Sequence, residues 1–171
     1  MICALTRTAR IRLKVFALGL LALVSFPLVS AVSGSDFSRY RPRQLNDLIR
    51  EYPAQGELVI TRDIPIRSKV VYSGEFRDLP DDARLLIAAW AQAMNVPVAP
   101  GAFRREVKIR EAGVEYWLPV QEVLWPVMNA ELLPQEKIEV FVIYIGQVNG
   151  RHVFLINAFD HEGPHPAHRK R

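Results

Sequence analysis

The sequence has very little cysteine: one residue of this type, Cys3, near its N-terminus. That position lies in a segment that we expect to be removed on export, so the mature protein would contain no thiol. Disulfide bonds, thiolate metal sites and cysteine nucleophiles are therefore excluded from the predicted mature chain. The place of Cys3 in a basic head also argues against a lipid anchor, because a lipoprotein cysteine follows the apolar segment.

Signatures of several enzyme classes are missing as well. The sequence contains neither the Gly-x-Ser-x-Gly pattern of a nucleophilic serine nor a phosphate-binding or dinucleotide-binding loop. Its best carboxylate pair, Glu106 and Glu115, is expected to be neutralised across neighbouring strands by Lys108 and Arg110. We predict no catalytic residue and no cofactor. The alternative is a small exported hydrolase whose site combines dispersed carboxylates and histidines.

The first 33 residues have the three parts of a secretory signal. Four cations and no acid lie in residues 1–14, an apolar run extends from Val15 to Val29, and small residues follow. A spanning helix needs about 20 apolar residues, and this run is shorter. We therefore predict cleavage after Ala31 or Ser33 and a periplasmic or secreted protein. The alternative is an uncleaved N-terminal membrane anchor.

The basic charge of the chain comes from its two ends. The whole sequence has 22 Lys and Arg against 18 Asp and Glu, and four of the cations lie in the predicted signal. The predicted mature chain is thus balanced, at 18 of each sign, and its last three residues supply three of the cations. A basic isoelectric point of this origin does not predict a nucleic-acid partner.

The composition predicts one folded domain after the signal. Removal of 33 of the 171 residues leaves 138, the usual size of a single domain. We divide this part into a lead-in with a short helix (34–56), one β-rich domain (57–160) and a flexible tail rich in histidine and basic residues (161–171). No membrane span is predicted after cleavage.

Hydrophobic periodicity predicts the elements of the domain. Extended pieces occur within 57–72, where Pro65 favours an edge position, and an apolar stripe over 78–94 predicts a helix. Alternation over 105–110 and 114–118 predicts a hairpin. A short helix is expected at 122–132. Segments 137–145 and 151–159 read as a second hairpin, joined at Asn149-Gly150, whose first strand is apolar on both faces.

The order of these elements predicts the fold class. A strand, a hairpin, a helix and a second hairpin follow one another as in a five-stranded OB barrel, with 78–94 as an inserted helix. We therefore expect a mainly β protein with helices, built as a small OB-like barrel. The alternative is an α+β fold in which an antiparallel sheet carries its helices on one face.

The first hairpin contains the candidate binding residues. Cationic and aromatic side chains on an OB-type face can bind sugars, anions or extended chains, and six such residues lie close together in the sequence: Arg104, Arg105, Lys108, Arg110, Tyr116 and Trp117. They predict a non-enzymatic module that binds an envelope protein or polymer. Imidazoles are metal ligands, so the tail offers a second, weaker candidate, a metal site formed by His161, His165 and His168.

The signal sequence yields the first testable prediction. Intact-mass spectrometry of the protein purified from its producing cells should give a chain that begins at residue 32 or 34, because small residues at the −1 and −3 sites favour those cleavages. A mass that corresponds to the whole chain, recovered with the membrane fraction, would instead establish the anchored form.

Overall fold

The computed structural model describes residues 37–161, in which six strands and three α-helices follow a short 3-10 turn at Phe37–Arg39. The elements are β1 (Arg41–Pro42), α1 (Leu45–Glu51), β2 (Leu58–Asp78), α2 (Asp81–Ala93), β3 (Phe103–Glu111), β4 (Val114–Gln121), α3 (Trp125–Glu131), β5 (Lys137–Val148) and β6 (Arg151–His161). Within residues 37–161, no helix has both the length and the apolar character needed to cross a membrane. The predicted signal lies outside the described residues.

Five of the strands form a closed ring, in the order β2-β3-β4-β6-β5 and back to β2. Strand β2 closes it, because its first two-thirds pair with β5 (Leu58 opposite Val148) and its last third pairs with β3 (Asp78 opposite Arg105). The contact between β4 and β6 is parallel, at Val120 and Ile156. The described chain is thus a β-rich α+β fold, an OB-like barrel with an inserted helix, as the element order predicts.

Apolar residues fill two separate cores, one inside the ring and one outside it. The inner core takes side chains from all five ring strands, among them Val107, Leu118 and Phe154, and is also contacted by α1 and α3. The outer core lies between α2 and the outer surface of β5 and β6, where Trp90 and Ile143 are buried. Strand β5 is therefore covered on both faces, which confirms the expectation from its apolar sequence. An antiparallel sheet with every helix on one face does not match this arrangement.

A tight contact between β2 and β5 bends both strands. The pairing shifts register between Ile60 and Ile64, and β5 shifts against β6 next to Gly146. Gly146 has φ +132°, and a Cβ built there would lie far inside contact distance of the Val59 carbonyl oxygen. Only glycine permits this backbone approach. The adjoining bulge places Asp63 to accept a hydrogen bond from the Trp90 indole at 3.0 Å, which ties α2 to the ring.

Glu111 connects the lead-in helix to the barrel. Its buried carboxylate accepts hydrogen bonds from the Leu45 and Asn46 amides, at 3.0 and 3.3 Å, and from the Ser68 hydroxyl. The first amides of a helix have no partner within the helix, and an anion there also complements the helix dipole. Leu45 and Leu48 of α1 are fully buried in the inner core, so the helix packs on the barrel.

Strand β2 and helix α2 differ from the sequence-based expectations. The separate extended pieces in 57–72 are parts of one strand, β2, whose bulges break its alternation. Helix α2 begins after Pro80 rather than at residue 78, and Asp78 ends β2. Pro65 lies within the pairing with β5, on a stretch that β3 does not reach, so the strand is an edge only in part.

The close contact between the backbones of β2 and β5 at Gly146 gives a prediction about stability. We expect Gly146→Ala to lower the free energy of unfolding by about 3 kcal/mol or more, because the new methyl group must push β2 and β5 apart. Gly113→Ala is the matched control: Gly113 also has positive φ but nothing within 4 Å of the added atom. Gly113→Ala should lower the free energy of unfolding only by the backbone strain of alanine at positive φ, about 1–2 kcal/mol. Urea unfolding measures the free energy of unfolding of both variants. Equal losses of stability would contradict the idea that the contact at Gly146 requires glycine.

Candidate functional site

The outer surface of the first hairpin carries a cluster of aromatic and charged side chains, which we call the Trp117 face. Lys108 and Arg110 lie opposite Trp117 and Glu115 in the β3–β4 register. The neighbouring strand β2 adds two more residues, Glu75 and Arg77. Inward-facing Val107, Ile109, Leu118 and Val120 alternate with these positions and hold the hairpin on the inner core.

Trp117 lies at the centre of this face. The Arg77 guanidinium carbon is 4.2 Å from the centroid of the indole ring, and the Lys108 ammonium is 5.9 Å from it. Both distances suit a cation–π contact. Trp117 is half-buried, so its ring is held in place while part of its surface stays accessible.

The cations of the face are matched by acids. Lys108 binds Glu115 at 2.9 Å and Glu75 at 3.3 Å, and the hydrogen bond to Glu115, aided by that to Glu75, raises the pKa of Lys108 against the effect of burial. Arg110 donates to the Gln135 amide oxygen at 2.8 Å. The face is therefore nearly neutral, and its ordered polar groups are arranged around one aromatic ring.

A buried carboxylate, Glu106, lies beside this face. It has no exposed surface, accepts hydrogen bonds from Arg77 at 2.8 Å and contacts the Arg151 guanidinium. Arg151 also lies 3.8 Å from Asp82 at the start of α2. Burial lowers the pKa of Arg151 and Asp82 opposes that effect. Glu106 thus joins β2, β3, β6 and α2, a role that sequence reasoning missed because its two partners are distant in the chain.

The structure separates the six residues predicted for binding. Lys108, Arg110 and Trp117 share the outer face, whereas Tyr116 is turned inward against the inner core. Arg105 binds Glu122 at 2.7 Å and lies 4.2 Å from the ring centroid of Trp125, at the end of the barrel beside α3. Simple alternation already places Arg105 on the side of Val107 and Ile109, opposite Lys108 and Arg110, and the register shift of β3 lies beyond it, between Phe103 and Arg105.

Arg104 lies elsewhere, in a groove between α2 and the segment 95–104. The groove encloses about 1200 Å³. Its lining contains one carboxylate, Asp78, and no histidine. A pair of groups for general acid–base catalysis is therefore absent from this groove.

The three histidines proposed as metal ligands are only partly described. His161 ends β6 with its Nδ1 atom 3.1 Å from Glu136 and its Nε2 atom 3.7 Å from Glu131. His165 and His168 lie outside the described residues. Among the side chains of 37–161, no group of three or more His, Cys, Asp and Glu is arranged to hold a metal ion.

The remaining histidine, His152, belongs to the end of the barrel core. Its Nδ1 atom is 3.0 Å from the Tyr144 hydroxyl, and the two rings stack at 5.8 Å. Burial lowers the pKa of His152 and raises the pKa of Tyr144 to about 12. Burial favours the neutral forms of both side chains, so the neutral His152 imidazole accepts a hydrogen bond from the neutral Tyr144 phenol. We interpret this pair as part of the packing of the barrel.

The fold and the Trp117 face define a class of protein, an OB-like barrel with an aromatic, charge-paired outer face. Such barrels commonly bind extended ligands on the outer face of their second and third strands, which correspond here to β3 and β4. No protein-family model matches the chain, and no curated protein resembles it in sequence.

Glu106 gives a prediction that separates its structural role from surface charge. We expect Glu106→Gln to lower the free energy of unfolding by about 2–4 kcal/mol, because the half-buried Arg151 would keep only the more distant carboxylate of Asp82. Glu115→Gln is the control; it removes an exposed charge from the same hairpin and should change stability little. Chemical denaturation checks both. A small effect of Glu106→Gln would mean that water already solvates the two arginines.

Proposed function

We propose that this protein is an exported, non-enzymatic binding module of the cell envelope, and that its Trp117 face binds an envelope polymer. The observation that carries the proposal is the indole of Trp117, which Arg77 and Lys108 hold on the outer surface of β3 and β4. OB-type barrels use this surface for extended ligands. Export rests on the predicted signal sequence.

The chemistry of the face favours a glycan over a polyanion. An apolar ring surface with paired carboxylates, ammonium and guanidinium groups beside it offers both stacking and hydrogen bonds to hydroxyl groups. The acids Glu75 and Glu115 would repel a polyanion. The balanced charge of the face therefore supports a polymer rich in hydroxyl groups.

The hydrolase alternative receives less support from the described residues. Glu106 is committed to two arginines, and Glu111 is committed to the first amides of α1. A catalytic carboxylate must reach a substrate atom, whereas both of these groups are buried by structural partners. The exposed acids of the Trp117 face pair with Lys108, outside any described cleft.

Binding to the polymer can be measured by co-sedimentation of the purified protein with insoluble peptidoglycan. We expect Trp117→Leu to reduce the bound fraction strongly, with an affinity loss of about tenfold, because loss of one stacked aromatic ring costs roughly 1–3 kcal/mol. Circular dichroism should show that the variant keeps its fold.

Trp125 provides a matched control, because it also carries an arginine at 4.2 Å from its ring centroid but lies beside α3. Trp125→Leu should leave sedimentation unchanged. Equal binding by all three proteins would refute the proposed face. Absence of binding by the unaltered protein would refute a peptidoglycan ligand, and capture of one defined envelope protein through Trp117 would point to a protein partner.

A further inference from the structure

The groove beside α2 lies apart from the Trp117 face and is not explained by it. One wall is the side of α2 formed by Ile87, Ala88 and Ala91, and the other is the segment 95–104. From Arg84 to Gln92 the helical wall spans about 12 Å, at 1.5 Å per residue. A trough of this length and of about 1200 Å³ can hold an extended chain of some ten or more carbon atoms.

The walls of the groove are mainly aliphatic. Val96 and Val98 are half-buried in the outer core, and Phe103 closes the floor. Pro97 and Pro100 have no amide hydrogen, and the amides of Val96 and Ala102 already donate to Ala91 and Ala99. The 95–104 wall therefore offers few backbone donors to a bound peptide and suits an apolar chain better.

A cation is placed at one end of this trough. Arg104 is exposed, and within residues 37–161 no carboxylate lies at ion-pair distance from its guanidinium. Gly101 has φ +75°, and a Cβ there would meet the Arg104 Nη2 atom at 2.7 Å, so the missing side chain makes room for the cation. The Arg104 carbonyl also accepts a hydrogen bond from Leu79 at 2.7 Å, which fixes this end next to the start of α2.

The other charges of the lining do not cancel Arg104. Arg84 is satisfied by Asp81 at 2.7 Å and by the Leu79 carbonyl at 3.0 Å. Asp78 is exposed and lies beyond ion-pair distance of both arginines in the described chain. Arg104 and Asp78 are thus the two charges of the lining without an ion-pair partner in the described chain, and an aliphatic trough with the Arg104 guanidinium at its end is complementary to an amphiphile with an anionic head.

We propose that the α2 groove binds a fatty acid, with the acyl chain along Ala88, Ala91 and Val98 and the carboxylate at Arg104. The site is independent of the Trp117 face, so either proposal can fail without the other. The ligand proposed for the α2 groove is a single aliphatic chain that ends in one negatively charged group.

The test uses the purified protein with dodecanoate below its micellar concentration, measured by calorimetry and by NMR shifts of the backbone amides. Dodecanoate should bind and shift the amides of α2 and of 95–104, whereas dodecyltrimethylammonium should bind at least tenfold more weakly. We expect Arg104→Gln to weaken dodecanoate binding roughly tenfold, since hydrogen bonds to charged groups are the strong ones. Arg62→Gln, which changes an exposed arginine outside both the groove and the Trp117 face, should have no effect.

A second pair of variants tests whether the ligand occupies the trough, by introducing a large side chain inside or outside it. Ala88 and Ala93 are both exposed on α2, but only Ala88 lines the groove. Ala88→Trp should abolish dodecanoate binding, and Ala93→Trp should retain it. The proposal is overturned if dodecanoate does not bind, if the cationic amphiphile binds equally, or if Ala88→Trp has no effect. It is also overturned if an apolar peptide with a free C-terminal carboxylate, or a second copy of the chain, occupies the groove in place of the fatty acid.

Discussion

The double pairing of β2 is the constraint on which the rest of the fold depends. One strand of 21 residues must bond β5 along its first two-thirds and β3 along its last third for the ring to close. Such a strand has to bend, and its register shifts mark where it does so. At the sharpest contact the absence of a side chain at Gly146 lets the two backbones meet. Closure leaves no long unpaired edge and creates an inside and an outside.

The inside and the outside then take different roles. The inside is filled by apolar side chains of the five ring strands and of α1 and α3. The outside is shared between α2, which covers β5 and β6, and the Trp117 face on β3 and β4. Glu106 lies where these two regions meet, and its arginine partners connect the hairpin to α2. Both proposed binding regions therefore use surfaces that ring closure placed outside the core.

Much of the fold could be predicted because its signals are local. The hairpin at Ala112-Gly113, the turn at Asn149-Gly150 and the stripe of α2 each follow from side chains a few residues apart. The candidate site was predicted only in part. Lys108 and Trp117 are paired across β3 and β4 as the alternation indicates, and the same alternation places Arg105 on the opposite face, which a grouping by closeness in the sequence overlooked. No local pattern connects Arg77 or Arg151 with Glu106.

The sequence by itself determined the strand and helix periods, the two-sided apolar character of β5, the absence of cysteine from residues 37–161 and the order of elements that an OB-like barrel requires. These properties depend on composition and on residues that are close in the sequence, within one turn of a helix or a few residues of a strand. The tertiary structure alone decided which charges meet, which face of the hairpin is exposed and where a groove opens beside α2. Those features depend on contacts between residues tens of positions apart, and such contacts exist only after the ring has closed.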